Sequence, residues 1–288
     1  MTPEPLDVRF QGVERVIGAY LLDTPEGPAL FDCGPRTCVD PLEADLSRRG
    51  LLLGDVGHLL LSHIHLDHAG AAGTLVRRNT SLRVHVSEVG APHLVEPSRL
   101  VASARRLYGD DLDRLYGEPE PVPEENVELA GERVLGLDCF PAPGHAAHHV
   151  CYVDGDGTLY AGDAAGVRIV PARHVVPVAP PPELDVEAWL HTIDEIERRA
   201  PERLALIHFG VVADVADHLA RLRDRLREWS ARVASGMDER AFSELGRREL
   251  LAEAGEAETW ELAAPFSLSY AGLRRYWDKR AAPTTAAS

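Results

Sequence analysis

Residues 61–68 read Leu-Ser-His-Ile-His-Leu-Asp-His, which sets His63, His65, Asp67 and His68 within six positions, directly after an apolar run. Imidazole and carboxylate groups bind first-row divalent ions at about 2.0–2.2 Å. His63 and His65, two apart in an extended turn, project to the same side. Asp67 and His68 open the following helix and face a neighbouring point from the opposite direction. Three more such groups end strand-like runs: His145 after 139–144, Asp163 after 159–162 and His208 after 204–207. In layered α/β proteins, sites collect at strand ends. Seven such groups converging from loops suit two adjacent ions, and ions roughly 3.5–4 Å apart can share a hydroxide.

The elements needed to hold these groups are legible as alternating strands and helices, which suggests sheet layers covered by helices. Residues 16–22 and 29–32 read as a hairpin, 41–49 as a short helix, 56–61 as a strand, 69–78 as a helix and 82–86 as a strand. An insertion over 88–120 carries a helical pattern at 98–116, able to cover a pocket or merely to pad the fold. Strands are expected at 127–129, 134–140, 149–153 and 158–160, and a last one at 204–207. After a proline-rich loop at 177–182, Asp185 is placed to cap a helix. Val212, Val215, Leu219, Leu222, Leu226 and Trp229 then recur at threes and fours, a seam for the core or for a second subunit, so a homodimer is open. The tail 281–288 is expected to fray.

The ordered set resembles the metallo-β-lactamase superfamily, with His63-Ile64-His65-Leu66-Asp67-His68 as its H-x-H-x-D-H signature. The resemblance runs from Phe31-Asp32-Cys33-Gly34 through Pro143-Gly144-His145 and Ala161-Gly162-Asp163 to Ile207-His208. It implies an α/β fold, a four-layer αβ/βα sandwich, with a catalytic domain over 1–210 and an additional C-terminal helical extension over 211–288. It also implies that His63, His65 and His145 hold one metal ion, that Asp67, His68 and His208 hold a second, and that Asp163 bridges them. The ions would be divalent: zinc first, with iron or manganese as alternatives. Asp163 and the absence of a signal-peptide pattern favour the branch resembling glyoxalase II and lactonases. The expected activity is hydrolysis of a small ester, thioester or lactone, with Asp67 orienting the attacking water and passing its proton. Asp32 is a candidate for orienting a ligand by hydrogen bond. Ala146-Ala147-His148-His149 departs from the pattern frequent in relatives, Thr-Pro-Gly-His.

The remaining readings bound the function. A composition of 45% hydrophobic and 26% charged residues over 288 positions fits an ordinary globular protein. A net charge of −16 argues against nucleic-acid binding, which needs clustered cations. With no apolar run near the roughly 18 residues of a membrane span, a cytoplasmic enzyme acting on a small molecule away from membranes is expected. Cys33, Cys38, Cys139 and Cys151 read as buried free thiols, and His58, His85, His93, His174, His191 and His218 as ordinary surface or capped histidines. His149 is expected to pack in a strand, and His148 to reach the pocket rim. Three alternatives stay open. One is a mononuclear non-haem iron oxygenase resembling persulfide dioxygenases, using His63, His145 and Asp163. The others are a nuclease and a non-catalytic metal-binding module. A flavin-linked diiron role is disfavoured because a carboxylate is wanted where His65 stands.

Overall fold

The computed structural model describes residues 2–281, so the tail beyond Ala281 lies outside the described residues. The first half of the chain builds one mixed sheet. Strands β1 (Pro5–Asp7), β2 (Gly18–Thr24) and β3 (Gly27–Phe31) pair antiparallel. Strands β4 (His58–Leu60), β5 (Arg83–Val86) and β6 (Val127–Leu129) then follow β3 in parallel. The second sheet runs in the order β12-β11-β10-β9-β8-β7. Its strands are β7 (Arg133–Val134), β8 (Leu137–Pro141), β9 (Val150–Val153), β10 (Thr158–Tyr160), β11 (Arg203–Leu206) and β12 (Gly210–Val212), with only β10 and β11 parallel.

The sheets meet through large side chains that alternation turns inward. Tyr20, Phe31, Tyr152 and Tyr160 interlock with ring centroids 5.4–5.9 Å apart, each pair contributing about 0.5–1.5 kcal/mol beyond its buried area. The buried phenols keep partners: Tyr20 donates to the carbonyl of Leu206 at 2.9 Å, and Tyr152 to that of Leu61 at 3.2 Å. Both bonds cross from one sheet to the other. With helices outside, this is an αβ/βα sandwich.

The first-sheet helices are α1 (Val39–Arg48), α2 (Leu66–Ala69) and α3 (Ala72–Arg78). The insertion supplies α4 (Ala91–Val95), α5 (Ser98–Tyr108) and α6 (Leu112–Leu115). The helix α7 (Val186–Arg199) starts where Asp185 accepts a hydrogen bond from the Ala188 amide at 3.0 Å. The chain closes with α8 (Val215–Ala234), α9 (Glu239–Ala254), α10 (Glu258–Ala263) and α11 (Phe266–Ala281). The α8 seam of Leu219, Leu222, Leu226 and Trp229 is buried, and Trp229 meets Phe242 and Phe266 at 5.0 and 5.7 Å. Among the described residues, no helix is long and apolar enough to cross a membrane.

Four expectations are corrected. The single strand over 134–140 is a hairpin, because Leu135 and Gly136 both take positive φ, the geometry of a two-residue turn. The helix over 69–78 is two helices, with Gly70 and Ala71 between them. The strand over 204–207 is not the last: the chain turns over 207–209 and Val212 pairs with Leu204, so Val212 belongs to a strand rather than to the helical seam. The short β1 was not anticipated. All four cysteines are free and buried, as expected.

His85, His174 and His218 are buried rather than at the surface, each with a partner. His85 meets His58 at 3.1 Å, His174 meets Glu253 at 3.0 Å, and His218 donates through Nε2 to the carbonyl of Ala165 at 2.7 Å. Burial pulls the His218 pKa down to about 4, with a smaller opposing effect from its bond to Ala165. Its Nδ1 has no partner, so a proton there would be an unpaired buried charge. The folded-state pKa lies below the unfolded value of about 6.5, so the unfolded chain takes up the proton first. This stabilisation is therefore present above pH 6.5 and is lost as pH falls toward about 4, an amount of about 3 kcal/mol. In urea unfolding at stepped pH, His218→Gln, which keeps a donor for Ala165 without titrating, is expected to lose less stability over that window. Parallel curves for the two proteins would contradict this.

Candidate metal centre

Parallel pairing brings the loops of the centre together. Phe31 lies opposite Leu60, so Asp32 and Ser62 leave the first sheet side by side. Tyr160 lies opposite Ala205, so the chain segments leading to Asp163 and His208 leave the second sheet together. The amide of Val150 donates to Ser62 at 2.8 Å and that of Gly18 to Ile207 at 2.9 Å, pinning the two sheets at this end.

All seven side chains named from the sequence converge. His63, His65 and His145 form one cluster, Asp67, His68 and His208 a second, and Asp163 groups with His63 and His68 between them. The Nδ1 of His65 lies 2.9 Å from the Nε2 of His63 and 2.9 Å from the Nε2 of His145. Asp163 reaches both clusters: one oxygen is 3.3 Å from His68 Nε2 and 3.6 Å from His208 Nε2, the other 3.4 Å from His145 Nε2. Asp67 lies 3.6 Å from His68 Nε2 and 3.5 Å from His208 Nε2.

The outward-facing nitrogens decide what the inward ones can do. His145 Nδ1 donates to the carbonyl of Val178 at 2.7 Å, and His208 Nδ1 to that of Val16 at 2.6 Å. His68 Nδ1 bonds Asp32 at 2.8 Å. The Ser62 hydroxyl gives its hydrogen to Asp32 at 2.7 Å, so it accepts from His63 Nδ1 at 2.9 Å. Assigned from this network, Nε2 of His63, His68, His145 and His208 is in each neutral ring an unprotonated lone pair pointing inward. His68 Nε2, His208 Nε2 and one Asp163 oxygen are buried without a hydrogen-bond partner. Facing lone pairs and carboxylates repel unless a cation sits among them, whether a proton on His68 or His208 or a metal ion. The donor set therefore fits bound divalent metal, with the opposite imidazole nitrogen held by an oriented acceptor as metal-ligating histidines require.

Electrostatics separate the clusters. Burial and the neighbouring imidazoles push His63 and His65 well below the ordinary histidine range, and burial also lowers His145. Burial acts the same way on His68 and His208, but Asp163 and Asp67 outweigh it and raise both. Burial works to raise the two carboxylates, yet the surrounding imidazoles hold Asp67 at about 2 and Asp163 well below the carboxylate range. Both remain anionic at neutral pH.

Supporting residues come from distant elements. Gly144 has φ +135, and a Cβ there would lie 2.3 Å from Trp189 Cα, so α7 packs directly beneath the loop carrying His145. The Trp189 indole donates to the carbonyl of Ala164 at 2.7 Å, which ties the loop after Asp163 to the same helix. Asp32, raised as a ligand-orienting candidate, accepts from the Ser62 amide at 2.7 Å as well as from the Ser62 hydroxyl and His68. Ser62 was missed, although it stands directly before His63. The role of His149 was missed too: its Nε2 accepts from the Asp163 amide at 3.1 Å and its ring stacks on His63 at 4.8 Å. The paired His148-His149 was the available signal. His148 lines the cavity, as anticipated, with Nε2 3.4 Å from Glu183.

That cavity, of about 190 Å³, opens on His65, Asp67, His145 and Asp163. Its outer walls come from the insertion, the proline loop and the C-terminal helices.

Comparison with known proteins agrees with this picture. The sequence profile of the Metallo-beta-lactamase superfamily matches residues 14–209. A metallo-beta-lactamase fold-containing protein from Sulfurisphaera tokodaii, ST1585, is 25% identical over 59% of this chain and 67% of its own length. The uncharacterized protein YobT from Bacillus subtilis is 31% identical over 38% of this chain, a span of 47% of that relative. Among solved structures, the metallo-beta-lactamase family protein TTHA1429 from Thermus thermophilus shares the fold at TM-score 0.67 and 22% identity, covering 96% of this chain and 93% of that one. TTHA1623, solved in a di-iron-bound form, is 27% identical at TM-score 0.53, covering 71% and 91%. Signature, paired sheets and the profile match over most of the sandwich lead to one conclusion: the chain belongs to the metallo-β-lactamase superfamily.

Proposed function

We propose that the protein is a metal-dependent hydrolase that cleaves a small ester, thioester or lactone at a dinuclear centre. The observation that carries this reading is the set of inward lone pairs on His63, His145, His68 and His208, with Asp163 within 3.3–3.6 Å of three of them. The di-iron form of the 27% identical TTHA1623 supports two ions over one. Bound divalent ions would supply Lewis acidity and lower the pKa of water toward about 7. His63, His65 and His145 would hold one ion and Asp67, His68 and His208 the other, with Asp163 between.

The chain's own groups do the rest. Asp67 is held at about 2, so it stays anionic on the cavity wall, where it can accept a hydrogen bond from the attacking water and orient it, although so low a pKa makes it a weak base. Val178, Val16 and Asp32 keep three imidazoles in one orientation, which avoids reorganisation during turnover. The apolar cavity walls limit water around the acyl group.

The test is to strip metal with chelator, reload with zinc, manganese or ferrous ion, and assay a panel of esters, thioesters and lactones. Turnover is expected to rise with metal content and to saturate near about two equivalents per chain. Full activity in chelated protein, or no turnover of any panel member by loaded protein, would exclude the reading.

A further inference from the structure

The cavity leading to the metal centre has a composition that none of its ligands required. Beyond the metal end, one wall is the insertion, with Leu100, Ala104 and Tyr108 of α5. The facing wall is C-terminal, with Leu262 of α10, Pro265 and Leu268 of α11. Among the lining residues described, Arg99 is the one guanidinium and Glu183 the one carboxylate away from the metal end. The C-terminal wall is held tightly: a Cβ on Gly272 of α11 would lie 1.9 Å from the carbonyl of Ala179, so that helix presses on the proline loop. The neighbouring Val178 carbonyl is the one that orients His145.

Resting on the hydrolase reading, we propose that the substrate carries an apolar acyl chain of limited length, which lies between α5 and the α10–α11 corner. The C-terminal helices, outside the span matched by the superfamily profile, thereby set specificity. A charged or strongly polar group lying against Leu100, Ala104, Leu262 and Leu268 would lose its hydration there, and partners for it stand only at polar lining residues such as Arg99, Glu183, His93, Ser103 and Tyr108. The volume sets the length. An apolar cavity of 150 Å³ holds benzene, so about 190 Å³, which includes the metal end, takes about six to eight heavy atoms of acyl chain with the reacting carbonyl carbon counted among them. Ala104 lines the cavity with Leu66 and Leu112 packed behind it, so a larger side chain there competes for space the acyl chain needs. Leu268 stands half-buried on the opposite wall.

The experiment uses the whole 288-residue chain, zinc-loaded, and two ligand series of rising chain length. For p-nitrophenyl esters from acetate to decanoate, kcat/KM is expected to rise about fourfold per methylene up to six to eight carbons and then to fall. For the corresponding alkyl hydroxamates, Kd measured by calorimetry should improve by the same factor per carbon and stop at the same length. Ala104→Phe and, from the other wall, Leu268→Phe should each shorten the preferred chain by two or more carbons, while Leu262→Ala lengthens it. Zinc content and melting temperature are recorded for each variant. If the esters are cleaved but neither series depends on length, the wall has no such role and hydrolysis stands. If no ester is cleaved yet hydroxamate affinity climbs with length and responds to the variants, the wall stands and hydrolysis falls. Length preferences unchanged in both folded bulky variants would overturn the proposal.

Discussion

Replacing Asp163 by asparagine is expected to lower zinc content from about two equivalents per chain to about one or less and to cut turnover by more than about 100-fold. The argument is positional. One Asp163 oxygen faces His68 and His208, and the other faces His145, so a single carboxylate serves both clusters. The amide keeps the shape but loses the charge, and its NH2 group would point a donor at a place where a cation belongs. An interaction that merely orients a ligand is worth about 10–100-fold in affinity or activity, and Asp163 stands closer to the centre than that. Metal analysis after dialysis, paired with the ester assay, reads both effects. An asparagine variant that keeps two ions and wild-type turnover would remove Asp163 from the centre. His65→Ala makes a weaker test, since His63 and His145 remain to hold an ion.

The second large effect is expected at Asp32, which would bind no metal itself. Its carboxylate takes three buried hydrogen bonds, from the Ser62 amide, the Ser62 hydroxyl and His68 Nδ1. Burial raises its pKa, and the bonds from His68 and Ser62 oppose that rise. Asp32→Asn supplies one acceptor oxygen where three donors converge, and turns an amide hydrogen toward one of them. Leaving a buried donor unsatisfied costs about 1–3 kcal/mol, and loss of the partner that orients His68 should weaken metal binding by about 10–100-fold. Asparagine is the informative replacement because Asp32 has φ 54, a conformation asparagine adopts more readily than alanine. Chelator competition gives the affinity and urea unfolding of metal-free protein gives the stability. If the affinity stays at the wild-type value while stability falls, Asp32 is structural alone.

The identities of the inward-facing groups were readable because their signals are local. His63, His65, Asp67 and His68 sit within one short segment, and His145, Asp163 and His208 each follow a strand-like run. Apolar runs bounded by turn residues also exposed most strands, and the Asp185 cap gave the start of α7. Two strands escaped. β1 was not read at all and Val212 of β12 was given to the helical seam, since both strands are defined by partners elsewhere in the chain, Leu6 opposite Ala19 and Val211 opposite Ala205. The buried His85, His174 and His218 escaped for a related reason: a lone histidine carries no pattern, and partners such as Glu253 for His174 lie far along the chain.

By itself, then, the amino-acid sequence determined which side chains could bind metal, their order along the chain and the layered class of fold that presents them at strand ends. Tertiary structure alone decided how the imidazoles of His145 and His208 are oriented. The acceptors for His145 and His208 are backbone carbonyls of Val178 and Val16, and every residue owns such a group, so no side-chain pattern marks them. It also decided what the cavity is made of, because α5 and the α10–α11 corner face one another only once α11 has docked against the proline loop. Ligand chemistry is carried by residue type, whereas orientation and pocket shape arise from contacts between segments far apart along the chain.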